Sequence, residues 1–320
     1  MGIFDFFKVI KDGKDHVRYE LKTDDDNKEY YENGQTKHEG EKKEGKKQGL
    51  WKEYYENGKL KSEGNYTDDV SEGLWKFFHE NGKVHQVGMF KEGNHHGTWN
   101  TYYENGKLES EGKFDHSGEK QREGLWKRYD TNGNIEKETH FKNGVCNGMN
   151  KEYHKNGKLK IVGNMKNGSL DGLCKYYYDT GQLEQEEILK DKVINGLFKT
   201  WFKNGQLKQE TLIKNGNPHG LHKMWFENGH LGQEFNHKDG KSHGLSKQYY
   251  ENGKLEKEGG FRDGIEEGLW KIYYENGTLQ QEGEFKDGKY NGKWKLYDEN
   301  GKLQQESIFK DGNEIDKTNY

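Results

Sequence analysis

Proline occurs once and cysteine twice in the 320 residues, and hydrophobic side chains make up only 28% of the chain. The near-absence of proline argues against a disordered, proline-rich tail. Cys146 and Cys174 are too few for a disulfide framework and lack metal-ligand spacing, which fits a reducing, cytoplasmic compartment. Basic residues are not in excess: 52 Lys and Arg stand against 56 Asp and Glu, a net charge of -4. A surface that tracks phosphates needs a clear cationic surplus, so neither nucleic acid nor an anionic membrane is an expected partner. No apolar run approaches membrane-spanning length, and the opening MGIFDFFKVIKDG lacks the basic start of a signal peptide.

What the chain has is charge and rings. Charged residues reach 34% and mean hydropathy is -1.37, near the disordered regime, yet Phe, Trp and Tyr number 43. Each ring can bury ~150–250 Å², so a thin structure can be held by few residues if they recur in register. They do recur. Turn glycines fall at 34, 58, 82, 106, 133, 157, 181, 205, 229, 253, 277 and 301, a spacing of 24 broken by one step of 27. The extra three residues lie in 114-FDHSGEKQREG-124, between patterned segments, where they lengthen a loop. Twelve units follow.

Asn precedes the turn glycine in all units except at Thr180, and Asn-Gly between β-favouring residues signals a hairpin with a two-residue type I′ turn. On that reading Tyr55 faces Leu60, Lys52 faces Glu63 and Trp51 faces Gly64. Lys at the Lys52 position and Glu at the Glu63 position recur in nearly every unit, and such cross-strand pairs contribute roughly 0.2–1 kcal/mol each. Alternation places Trp51, Tyr55, Leu60 and Tyr66 on one face, with Trp51 over Gly64. Leu50, Lys52, Tyr54 and Glu63 take the other, where the aromatic Tyr54 column is expected to stack. A second turn, 286-KDGK-289 and its equivalents, joins successive hairpins. The fold class is therefore all-β: about twelve 24-residue hairpins in an elongated, twisted meander sheet, with a β-solenoid as the alternative. Residues 1–24 are read as an N-terminal cap, 25–312 as the array and 313–320 as a C-terminal tail, leaving the strand at 307-SIFK-310 with little to cover its edge.

The unit G-L-W-K-x-Y-Y-x-N-G-x-L-x-x-E-G resembles the variant MORN repeat, and the long array is similar to the bacterial YwqK-type antitoxin family. That resemblance implies an immunity protein that neutralises a cognate toxin by direct binding; other MORN proteins imply a scaffold for several partners or a lipid-surface array. The middle departs from the pattern. The Trp51 column reads Asn150, Cys174, Phe198, His222 and Ser246, and the Gly64 column reads Glu187, Thr211 and Phe235. Those units cannot form the same Trp-on-Gly contact within the hairpin.

No nucleophile elbow, P-loop or H-E-x-x-H motif is present, so no catalytic, cofactor or metal residue is assigned and no enzyme is expected. Histidines such as His95, His96, His219, His222 and His243 read as turn residues without acidic or thiol co-ligands. The repeated Lys and Glu columns suit a structural ladder, since a single active site does not recur in every unit. Exposed aromatic rows mark interaction surfaces. The candidate partner-binding stripe is Tyr153, Tyr177, Trp201, Phe202, Trp225, Phe226 and Tyr249, and the expected partner is a protein, bound by a monomer whose edge strand is open to pairing.

Overall fold

The computed structural model describes residues 7–12, 16–21, 27–115 and 121–320, so part of the 114–124 insertion lies outside the described residues. Phe7–Asp12 and His16–Leu21, within the expected cap, pair as a separate two-stranded sheet. The rest falls into two compact units, one ending at Asn147 and one starting at Gly148. In the first, antiparallel strands run in chain order from Lys28–Tyr30 to Ile135–Lys142, and in the second the same meander ends at Asn313–Asn319. Consecutive strands pair across both kinds of turn, which is a meander and not the coils of a solenoid. The segment 313–320 carries a strand: Asn313–Asn319 pairs with Leu303–Lys310 and covers the edge that the sequence seemed to leave open.

The two turns have exchanged the roles read from the sequence. At Asn57-Gly58 the Gly58 amide donates to the Tyr55 carbonyl (2.9 Å) and the Tyr55 amide to the Lys59 carbonyl (2.8 Å). Gly58 alone has positive φ, at 79°. This is a three-residue loop, a type I turn closed by a left-handed glycine. The type I′ turn sits instead at the second connection, where Asp287 and Gly288 have φ of 51° and 73° and Lys286 pairs with Lys289. The longer Asn-Gly loop does not destroy the charge register, because a bulge at Lys61 absorbs the extra residue: Tyr54 pairs with Leu60, but Glu53 pairs with Ser62 and Lys52 with Glu63. Leu60 consequently lies across from Tyr54, with the charge ladder, and not beside Trp51.

That ladder runs through both units and is interrupted at Val87 and Asn100 in the first and at Val162 in the second. Glu39 pairs with Lys52 across hairpins, Lys52 with Glu63 within one, and Glu63 with Lys76 across the next. Ion pairs of 2.8 Å at Lys199–Glu210, 3.0 Å at Lys175–Glu186 and 3.2 Å at Lys76–Glu63 show both kinds of rung. The Tyr54 column does not run as a ring stack. Tyr54, Tyr129, Tyr249, Tyr273 and Tyr297 of this column are tied by their hydroxyls to the glutamate of the preceding hairpin, as in Tyr54 to Glu39 (2.6 Å) and Tyr129 to Glu111 (2.7 Å).

Ring contacts run instead on the other face. Trp51, Tyr66, Trp75, Phe90, Trp99, Phe114, Trp126 and Phe141 meet edge to face in succession, with centroids 5.0 to 6.4 Å apart. The tryptophans of the Trp51 column form the core: Trp51 is 1% exposed and Trp75 5%. Each lies flat on a glycine of the preceding hairpin, not its own, for a Cβ on Gly40 would stand 2.4 Å from Trp51 Cδ2 and one on Gly64 2.1 Å from Trp75 Cδ2. The indole N–H then donates to the carbonyl one residue further on, Trp51 to Glu41 (3.0 Å) and Trp75 to Asn65 (3.2 Å). Tryptophan therefore fastens one hairpin to the one before it. Beside it the pairing skips two residues, such as Gly73 and Leu74 between the pairs Glu63–Lys76 and Asn65–Glu72, and the skipped leucine points outward, 49% exposed.

Candidate partner-binding site

The turn end of the array is closed by two repeating side-chain rungs. The turn asparagine bonds in two directions: Asn81 Oδ1 accepts from the Lys83 amide (2.9 Å), and its Nδ2 donates to the carbonyl of Glu104 in the next turn (2.9 Å). Equivalent bonds join Asn33 to Glu56, Asn204 to Glu227 and Asn276 to Glu299. Beside it, the ring at the Tyr55 position reaches the next hairpin's backbone. Tyr55 donates to the Phe78 carbonyl (2.6 Å), Tyr178 to that of Trp201 (2.8 Å) and Tyr250 to that of Tyr273 (2.8 Å). His79 and His154 place Nε2 at the same station. These bonds explain why Asn, Tyr and His recur there.

Two members of the Tyr55 column, Phe202 and Phe226, carry no polar group to make this bond. At Phe226 a second change coincides. The bulge residue, charged or polar in every other unit (Lys61, His85 and Glu109, for example), is Gly232, whose missing side chain would have met the Phe226 ring at 3.1 Å. An open-sided hollow of about 500 Å³ results. Met224, Trp225, Phe226, Tyr249 and Tyr250 form its apolar wall, and Glu251 and Glu256 its polar rim. The wall is held from behind: Tyr249 donates to Glu234 (3.1 Å), Tyr250 to the Tyr273 carbonyl, and Gln248 Nε2 to Glu256 (2.8 Å). Such a volume, apolar with a few polar groups, is of the size that ligands and anchoring side chains use.

Of the seven stripe residues read from the sequence, Trp225, Phe226 and Tyr249 line this hollow, whereas Tyr153, Tyr177, Trp201 and Phe202 belong to earlier hairpins and do not. The sequence reading missed Gly232, Tyr250, Glu251 and Glu256. A glycine in an otherwise polar column was the available signal, but it has meaning only once the bulge is known. The deviant core positions of an earlier hairpin, Cys174 and Glu187, are packed into the structure and do not line the hollow. Cys174 is fully buried, and burial first, then the charges of Glu187 and Asp171, pushes its thiol up to about 11. Glu187, also buried, accepts from Tyr176 (2.7 Å) and Gln185 (2.9 Å). Among the described residues, no group of three His, Cys, Asp or Glu side chains gathers to hold a metal.

The hydroxyl–carboxylate pairs have an electrostatic signature. Burial, reinforced by the neighbouring glutamate, pushes the Tyr54, Tyr129 and Tyr249 hydroxyls up to about 12. A tyrosine whose folded value lies above its unfolded one contributes stability that is fully present below about pH 10 and lost as pH rises toward about 12. Ultraviolet difference titration should show these three ionising late, together with unfolding. A Tyr249→Phe variant should lose part of that late step, and late ionisation unchanged in Tyr54→Phe, Tyr129→Phe and Tyr249→Phe alike would refute the assignment.

Comparison with known proteins bears on the repeat and on little else. The model of the MORN repeat variant matches residues 47–68, 71–92, 96–116, 122–143, 147–167, 170–191, 194–215, 218–239, 242–263, 266–287 and 290–311, which together exceed half of the chain. No curated protein gives a match. Among solved structures, the chain is similar to that of TcdB2-TccC3-Cdc42, at 12% identity and a TM-score of 0.18 over 90% of this chain and 18% of the other. The Photorhabdus luminescens Tc holotoxin pore with the TccC3-D651A mutation gives 14% identity and a TM-score of 0.20, over 90% and 16%. The chain spans less than a fifth of those chains, and likenesses this slight carry no argument.

Proposed function

We propose that this chain, which belongs to the MORN repeat variant family, is a non-enzymatic binding protein that neutralises a cognate toxin by holding it against the turn end of its middle hairpins. Repeats of this family generally bind proteins or lipids. The observation that supports a protein partner here is the hollow at Phe226 and Gly232, where the repeating hydroxyl rung is missing and Trp225, Phe226 and Tyr249 meet in one open-sided wall. Aromatic anchors ringed by charge are the usual energetic centre of a protein interface. The near-balance of charge gives a lipid surface no comparable attraction.

The test is affinity capture from the native host with the wild-type chain and with Trp225→Ala and Trp201→Ala. Hot-spot loss should weaken retention of the partner at least about tenfold in Trp225→Ala, and much less in Trp201→Ala, whose residue lies outside the hollow. Far-ultraviolet spectra establish that both variants fold. Capture unchanged by Trp225→Ala would sink this reading. For the toxin role, the captured partner expressed alone should arrest growth and co-expression of this chain should relieve it; a harmless partner would leave binding without neutralisation.

A further inference from the structure

We infer that the Phe226 hollow is a receptor for a lysine ammonium of the partner protein, an inference that rests on the protein-binding reading above. The argument comes from what the array does with the same ring elsewhere. In three other hairpins the ring at the Tyr55 position carries a cation supplied by the chain itself. Lys61 Nζ lies 6.0 Å from the Tyr55 centroid and Lys208 Nζ 5.6 Å from that of Phe202, both from the bulge position of the same hairpin. Lys203 Nζ lies 5.5 Å from the Tyr178 centroid, from the position after the equivalent ring of the next hairpin. These two stations are the ways the fold delivers an ammonium to this ring.

At Phe226 neither station can deliver one. The bulge position is Gly232, and the position in the next hairpin is Glu251. A second carboxylate, Glu256, joins Glu251 at the rim, and no Lys or Arg lines the hollow although the chain carries 52 of them. Lys254, in the turn between Glu251 and Glu256, is engaged elsewhere, its Nζ donating to the Asn276 carbonyl at 2.8 Å. The backbone that carries Glu251 is held at the rim, its carbonyl accepting from Asn228 Nδ2 (2.9 Å) and lying 2.7 Å from His230 Nδ1. Ring faces that draw cations elsewhere here meet two anions and open space. An alkylammonium fits that combination: its methylene stem lies along Met224 and Trp225, and its charged end reaches ring and carboxylate together.

Saturation-transfer spectroscopy on the full chain tests this with Nα-acetyl-lysine methylamide as probe and Nα-acetyl-norleucine methylamide as its uncharged counterpart. The lysine probe should receive saturation and the norleucine probe little, and the lysine signal should fall about fivefold in Gly232→Lys, the loss of roughly one cation–ring contact. The Gly232→Glu variant separates charge from bulk: it fills the same space but adds a third anion, so the lysine signal should hold or rise. Both side chain types occupy this bulge position elsewhere in the array, at Lys61, Lys208 and Glu256, so the backbone accepts them. Equal loss in both variants, equal signals from the two probes, or no change in Gly232→Lys would each overturn the inference. The probe needs no protein partner, so the two readings fail separately. Capture that depends on Trp225 but is unmoved in Gly232→Lys would sink the lysine receptor alone, and probe binding without any captured protein would sink the partner.

Discussion

Replacing Gly64 by alanine should destabilise the first unit by about 3 kcal/mol or more, although alanine adds a single methyl group. The added Cβ would stand 2.1 Å from Trp75 Cδ2 and 2.2 Å from Cε2, inside the indole. Backbone lies on one side and a ring row on the other, so the indole has to leave. With it go its burial, the bond to the Asn65 carbonyl at 3.2 Å and the edge contacts with Tyr66 (5.0 Å) and Phe90 (5.6 Å). Denaturant unfolding of Gly64→Ala, Trp75→Ala and the double variant checks the cause. The clash exists only while the indole is present, so the double variant should be no less stable than Trp75→Ala alone. Additive losses, or a Gly64→Ala protein as stable as the wild type, would show that tryptophan does not fasten the hairpins in this way.

The second large effect concerns a place where the contact is reversed. Phe235 occupies the glycine column and Ser246 the tryptophan column of the following hairpin, and the two are directly paired. The large side chain has changed strands. It packs on His222 and His237, with centroids 4.7 and 4.9 Å away. Phe235 is half-buried, so Phe235→Gly alone should cost about 2–3 kcal/mol through lost burial and ring contacts, and Ser246→Trp alone about 1–3 kcal/mol through overpacking against Phe235. Together they rebuild the glycine–tryptophan pair of the regular hairpins, so the double variant should recover at least ~2 kcal/mol of the summed loss. Thermal or urea unfolding of the four proteins gives that coupling directly, and a coupling near zero would mean the two positions do not share one site.

The same pair shows why the middle hairpins looked defective in the sequence. Comparing Trp51 with Gly64 inside a hairpin sets Ser246 against Gly259 and Phe198 against Thr211, which suggests lost packing. The structure compares each ring position with the hairpin before, and the partners become Phe235 with Ser246, Glu187 with Phe198 and Gly163 with Cys174. A Cβ on Gly163 would meet Cys174 Sγ at 2.8 Å, so even there the close approach is kept. Cross-strand neighbours on both sides of a strand are equally near, and a linear sequence with one hairpin signal favours the wrong one.

The 24-residue period, the hairpins and the lysine–glutamate ladder were legible in the sequence alone, because a strand alternates sides every residue and a repeated pairing leaves opposite charges at a constant spacing. Turn geometry was not. A two-residue loop and a three-residue loop followed by a bulge restore the same register beyond Ser62, and only backbone dihedrals separate them. Which neighbour each tryptophan covers, and the hollow that Gly232 opens beside Phe226, depend on side chains from adjacent hairpins meeting in space. Each tryptophan contact joins two different hairpins and the hollow is walled by two of them, so tertiary packing decided both.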